Sequence, residues 1–331
     1  MTFIIPKFLK IFLPLFCLVA NGVAATFAPG TNEVILVIGQ NVPSVESYVA
    51  ATGQVPGGVM TYTSTARAEG LSTSDSYGAG LVHAQHFITN SIFQKLGLYL
   101  NGDLANITNG LRATNLATLG HWIKQTQRPV YLRIGYEFDF PDNALPPADY
   151  IAAYRYIVDT LRHDSVTNAA FVWHSYGAKP FNNFPVTAWY PGDDYVDWAG
   201  ISVFQQFNGQ PGALDDLEKF CAFARSRKKP LMICESAPFG GISETRWTNW
   251  FQPCLDLILR EHVQMWCYIN TDWEAQPLFA KQGWGDTRID QNEFVKSKWR
   301  AAVSGKMFLQ SSPKLFSHLQ TSFAKPFNIP R

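Results

Sequence analysis

The chain has 331 residues and a formal net charge of +1 at pH 7, from 27 Lys and Arg against 26 Asp and Glu. That balance offers no general electrostatic footprint for nucleic acid or for an anionic membrane, so neither is expected as a partner. The length allows one large α/β barrel domain, and the ten Trp and thirteen Tyr serve either a large core or platforms for sugar faces.

The N-terminus carries Lys7 and Lys10, then the apolar run IFLPLFCLVA, then the small residues GVAA. That order predicts a secretory signal over residues 1–25, cleaved near Ala25, and a secreted, extracellular protein. The apolar run is short and broken by Pro14, and no later segment is apolar for long enough to span a bilayer, so no membrane contact is expected after cleavage. Cys221, Cys234, Cys254 and Cys267 remain in the mature chain, with no CxxC pair and no metal-ligand spacing. Export permits disulfides, and Cys221 and Cys254 fall in neighbouring predicted helices where they could pair.

Strand and helix patterns then alternate. Strands are predicted over 33–40, 57–64, 93–100, 129–138, 169–175, 195–204, 229–236 and 263–270. Helices are predicted over 44–51, 115–127, 147–163, 213–227, 244–262 and 292–304, while 65–92 reads as a long polar loop. Strands alternating with helices imply a parallel sheet, and the count of eight implies a closed (β/α)8 TIM barrel over residues 26–304. The alternative is an open doubly wound sheet, but VIGQNVPS after the first strand lacks a glycine-rich dinucleotide turn and no P-loop is present. Residues 305–331 form a C-terminal extension.

Active sites of such barrels lie at the C-terminal strand ends. Here strand four ends at Glu137 and strand seven at Glu235. Period-two alternation places Arg133, Gly135 and Glu137 on one face of strand four, with the small Gly135 leaving room between the charges. It likewise groups Leu231, Ile233 and Glu235, sending Cys234 towards the helices. A guanidinium inside the barrel can hydrogen-bond to a carboxylate of another strand and keep it ionised.

With these residues in view, the chain resembles glycoside hydrolase family 26, the family of β-mannanases and relatives. The resemblance rests on RPVYLRIGYE, WYPGDDYVDWAGISVF and KPLMICESAPFG, and covers roughly residues 120 to 300. It implies a retaining hydrolase with Glu137 as acid/base and Glu235 as nucleophile, with carboxyl groups about 5–5.5 Å apart and no metal or cofactor. Two positions depart from the mannanase pattern: Tyr136 stands where those enzymes have a histidine, and Phe204 where their strand six ends in a tyrosine that contacts the nucleophile. Arg133, Tyr136, Asp139, Trp173, His174, Phe204, Trp266, Tyr268, Asp272 and Trp273 are expected at the substrate. Trp173 and Trp266 are expected as the floor beneath the attacked sugar.

The expected partner is therefore a carbohydrate, with a mannan-, xylan- or glucan-like substrate and a monomeric enzyme. Two other readings remain: a non-catalytic carbohydrate-binding barrel, disfavoured by the presence of both glutamates, and a transglycosylase on the same scaffold. An aldolase would require a strand-end lysine, and no predicted strand has one.

Overall fold

The computed structural model describes residues 27–78, 80–88, 93–143, 145–177, 184–209 and 213–323. The expected signal over 1–25 and the last residues of the extension, 324–331, lie outside them. The barrel strands are β1 (Val34–Gly39), β2 (Gly58–Ser64), β3 (Phe93–Tyr99), β4 (Val130–Ile134), β5 (Ala169–Ser175), β6 (Trp198–Val203), β7 (Leu231–Ser236) and β8 (Met265–Ile269). Each lies parallel to the next, and β8 closes on β1 with Ile35 opposite Met265 and Gly39 opposite Ile269. The (β/α)8 barrel expected from the alternation is the fold of this chain.

The longer helices between the strands and after the last are α1 (Val42–Thr52), α2 (Ala113–Thr126), α3 (Pro147–His163), α4 (Ala213–Ser226), α5 (Gln252–Glu261) and α6 (Glu293–Val303). Local chemistry sets their limits. Asn41 caps α1 by accepting from the Ser44 amide at 2.9 Å, and Gly53 ends it at φ 69°. In α3, Tyr150, Ala153, Tyr154, Ile157, Val158 and Leu161 are buried at helical spacing. Pro253 is tolerated because it sits in the first turn of α5, after a π-turn over Trp247–Phe251.

Alternate strand residues build two cores. Ile35, Val37, Tyr131, Val172, Met232, Cys234 and Cys267 fill the barrel. Leu36, Ile38, Leu132, Trp173, Ile233 and Trp266 face the helices. Among the described residues, Cys221, Cys234, Cys254 and Cys267 are buried free thiols, so Cys221 and Cys254 do not pair.

Two segments are more ordered than their composition suggests. Within 65–92, Asp75–Tyr77 and Gly80–Val82 pair as an antiparallel hairpin, and Ala84–Phe87 forms a 3-10 turn. Val82 and Ala84 are fully buried, which roots this hairpin against the barrel. The C-terminal extension adds β9 (Phe308–Leu309) beside the start of β1, then α7 (Leu315–Phe323). Leu315 and Leu319 are buried, Phe316 meets Phe93 edge-on at 6.4 Å, and His318 Nε2 lies 2.7 Å from Glu33 Oε2. These contacts all fall at strand starts, so α7 covers the N-terminal mouth of the barrel. Among the described residues, no helix is long and apolar enough to cross a membrane.

Candidate active site

The opposite mouth is built by two breaks in strand regularity. β4 stops at Ile134 because Gly135 turns the chain at φ 58°, and Glu137 itself takes φ 52°. Glu137 therefore reaches the mouth from a turn rather than from the Arg133 face of a continuing strand. Nor does Gly135 make space between the two charges. A Cβ there would stand 2.8 Å from Tyr150 Cε2 and 2.9 Å from Leu100 Cδ1, on the helix side. The turn is held by Gly135 N donating to Leu98 O, Tyr150 Oη to Ile134 O and Asn143 Nδ2 to Glu137 O, at 3.0, 3.0 and 2.7 Å.

The second break is a β-bulge in β7. Ile201 pairs with Ile233, but Ser202 pairs with Glu235, leaving Cys234 as the extra residue. Leu231 and Ile233 face the helices and Cys234 faces the barrel, the reverse of the alternation expected from sequence. The bulge lets Cys234 and then Glu235 both turn inward. Lys95, fully buried on β3, donates its ammonium to the Cys234 carbonyl and so ties down the bulge. Burial, then repulsion from Arg133, lowers the Lys95 pKa.

Arg133 joins the two halves. It is fully buried and donates Nη1 to Glu235 Oε1. The same nitrogen lies 3.3 Å from His174 Nδ1. The rings of Tyr62 and Tyr136 flank the guanidinium at 5.2 and 5.0 Å. Glu235 Oε1 also accepts from the Tyr62 hydroxyl at 3.0 Å. The phenol contact with this carboxylate thus comes from the end of β2, while Phe204 stands at the end of β6.

A chain of hydrogen bonds continues from Arg133 to Glu137. Burial, then the charges of Arg133 and Lys95, push the His174 pKa well down, so the ring is neutral. Facing a guanidinium, Nδ1 accepts, which leaves the proton on Nε2 to donate to Ser202 Oγ at 3.0 Å. Ser202 Oγ in turn donates to Glu137 Oε1 at 2.6 Å. Burial, then the negative charge of Glu235, pushes the Glu137 pKa up to about 8 against the opposing pull of Ser202 and Arg133. Two carboxyls thus share one site with unlike surroundings, one gripped by a cation and a phenol, the other favouring its proton.

Both glutamates line a cleft of about 790 Å³ with Tyr62, Tyr99, Tyr136, Tyr176 and Phe204. One wall is aromatic: Trp273 stacks on Trp284 at 5.0 Å, and Phe204 meets Trp284 edge-on at 5.1 Å. Gln40, Tyr62, Tyr176 and Ser202 were not singled out from the sequence, because an uncharged amide or hydroxyl at a strand end carries no anomaly there.

Five expected substrate contacts stand elsewhere. Trp173 and Trp266 are outer-layer residues: the first stacks on Phe138 and Phe220, the second packs on Trp299. Tyr268 also faces outward and donates to Thr287 O at 2.6 Å. Asp139 is buried under the turn, accepting from Ser175 Oγ and the Tyr176 amide, both at 2.6 Å, and burial pushes its pKa up to about 6. Asp272 caps the loop after β8 through the amides of Glu274 and Ala275 and lines a separate hollow beside Arg288. Arg133 and His174, also expected at the substrate, are fully buried inside the barrel and do not line the cleft; Arg133 bears on it through Glu235, and His174 through Ser202 and Glu137. Among the described residues, no three His, Cys, Asp or Glu side chains converge to hold a metal ion.

Known proteins match this architecture. The model of glycosyl hydrolase family 26 matches residues 80–230. Beta-1,3-xylanase TXYA of a Vibrio species is 30% identical over 317 residues, covering 86% of this chain and 68% of that protein. A beta-1,3-xylanase of an Alcaligenes species is 30% identical over 320 residues, covering 87% and 67%. Among solved structures, the family 26 beta-mannanase of Bacteroides ovatus superposes with a TM-score of 0.63 at 13% identity, covering 84% of this chain and 90% of that one. The mannanase shares the barrel, whereas the xylanases share the sequence along nearly the whole of it. The chain is a glycoside hydrolase and belongs to glycosyl hydrolase family 26.

Proposed function

We propose that this enzyme cleaves β-1,3-linked xylan with retention of configuration, acts outside the cell, and works as a monomer. Glu235 attacks the anomeric carbon while Glu137 gives its proton to the departing glycosidic oxygen. The covalent glycosyl-enzyme is then resolved by a water that Glu137, now a carboxylate, deprotonates. The observation that carries this reading is the unlike setting of the two glutamates. Arg133 and Tyr62 both donate to Glu235 Oε1, which favours a carboxylate poised to attack. Burial and the neighbouring charge keep the proton on Glu137. Their presence together disfavours a binding-only barrel. The linkage is supported by the two beta-1,3-xylanases related along most of the chain.

The test is Glu235→Ala. It is expected to abolish turnover of β-1,3-xylan, with azide restoring cleavage of an activated aryl glycoside and giving a glycosyl azide of inverted configuration. Full activity of that variant would remove Glu235 from the mechanism. Turnover by the parent enzyme of mannan or β-1,4-xylan in preference to β-1,3-xylan would overturn the substrate. Accumulation of longer oligosaccharides instead of hydrolysis products would point to a transglycosylase.

A further inference from the structure

Gln40 follows directly on β1, lines the cleft, and is only 3% exposed. Its Oε1 lies 3.3 Å from the Tyr62 hydroxyl, whose single proton goes to Glu235 Oε1 at 3.0 Å. Its Nε2 is buried and finds no hydrogen-bond partner among the described residues. A buried amide donor left unmade is costly, and protein interiors seldom tolerate one. This one sits at the wall of the cleft, so a ligand can satisfy it.

We propose that Gln40 Nε2 donates to the 2-hydroxyl of the sugar under attack and strengthens that bond as the anomeric carbon becomes positive. The assignment rests on the retaining mechanism proposed above, with Glu235 as the nucleophile. Its geometric ground is proximity. The amide lies beside the phenol that touches Glu235, and the hydroxyl nearest an attacked anomeric carbon is the one on the adjacent ring carbon. Its energetic ground is general to this chemistry: bonds to that hydroxyl tighten towards the transition state, so a preoriented donor there raises turnover rather than affinity. Burial holds the Gln40 side chain in place, so the nitrogen is already positioned before substrate arrives.

The test compares two dinitrophenyl glycosides of β-1,3-xylobiose, one intact and one lacking the 2-hydroxyl on the ring attached to the dinitrophenyl group. Gln40→Met keeps the length and removes the donor. It is expected to lower kcat for the intact substrate about 100-fold while leaving the deoxy substrate within about threefold. Gln40→Glu, of nearly the same shape, is expected to show the same selectivity, which guards against a folding defect in the first variant. Tyr62→Phe, which loosens the nucleophile itself, is expected to slow both substrates alike. Equal losses on the two substrates in the Gln40 variants, or no loss on the intact one, would overturn the assignment while the parent enzyme still works. A parent enzyme that turned over neither glycoside would overturn the mechanism on which it rests.

Discussion

Glu137 keeps a proton because its carboxyl is short of water and close to Glu235. A general acid must be protonated in the free enzyme, so kcat/KM is expected to fall about tenfold per pH unit above a limb near pH 8, where the Glu137 pKa is raised to about 8. Ser202 opposes that rise by donating to the carboxylate. Ser202→Ala therefore removes a partner of the charged form, and the alkaline limb is expected to move up by roughly one pH unit. A pH profile of kcat/KM checks both, and a limb that moved down would contradict the direction of the Ser202 bond. The residues legible in the sequence were those that broke a rule. Arg133, Glu137 and Glu235 are charges in stretches read as apolar strands; the two glutamates share the cleft and Arg133 grips Glu235 from beneath it. Tyr62, Ser202 and Gln40 break no rule in sequence, and only the closing of β1, β2 and β6 into one ring brings them to the two glutamates and their cleft. Trp173 misled for a different reason. It and His174 are adjacent on one strand, so they cannot share a face. Their shared position at the strand end outweighed that alternation, and His174 is the one that faces in.

At the scale of the element, the site depends on where β4 and β7 stop being regular. Gly135 is the hinge of the first break: its φ of 58° disfavours any side chain, and a Cβ would press on Tyr150 and Leu100. Gly135→Ala is expected to cost about 2 kcal/mol of stability, read by denaturant unfolding, and to lower kcat by displacing the turn that carries Glu137. An unchanged unfolding midpoint would mean that the turn relaxes without strain. The order of strands and helices was legible because their apolar periods are strong, as in α3, but strand four was read four residues past Ile134 and the helix read from residue 244 is α5 only from Gln252. The bulge in β7 was not. Nothing in LMICES distinguishes an even pleat from one with an extra residue, since Ile233 and Cys234 fit either face. The partner that fixes it, Lys95, lies far away in sequence on β3.

For the whole molecule, the barrel was legible from the count and order of its strands, but the role of the C-terminal extension was not. The spacing of LFSHLQTSF suits the helix it forms, yet it does not say which surface that helix covers. In the structure it shields the strand starts, where Leu319 is fully buried. Leu319→Ala is expected to cost about 2–4 kcal/mol, seen as a lower unfolding midpoint, with kcat on soluble substrate unchanged because the cleft is at the other mouth. A loss of kcat at full stability would instead mean that the extension communicates with the site.

The same cap has a practical corollary. Phe27, the first described residue, accepts through its carbonyl from Tyr131 Oη at 2.8 Å, beside the strand starts that α7 covers. Residues 27 and 323 thus leave the barrel on one side and the cleft opens on the other. A preparation immobilised on a bead through a linker at either of these points would present its catalytic mouth to the liquid. Insoluble fibres could then be offered to an oriented layer of enzyme, with no tether crossing the path of the polysaccharide.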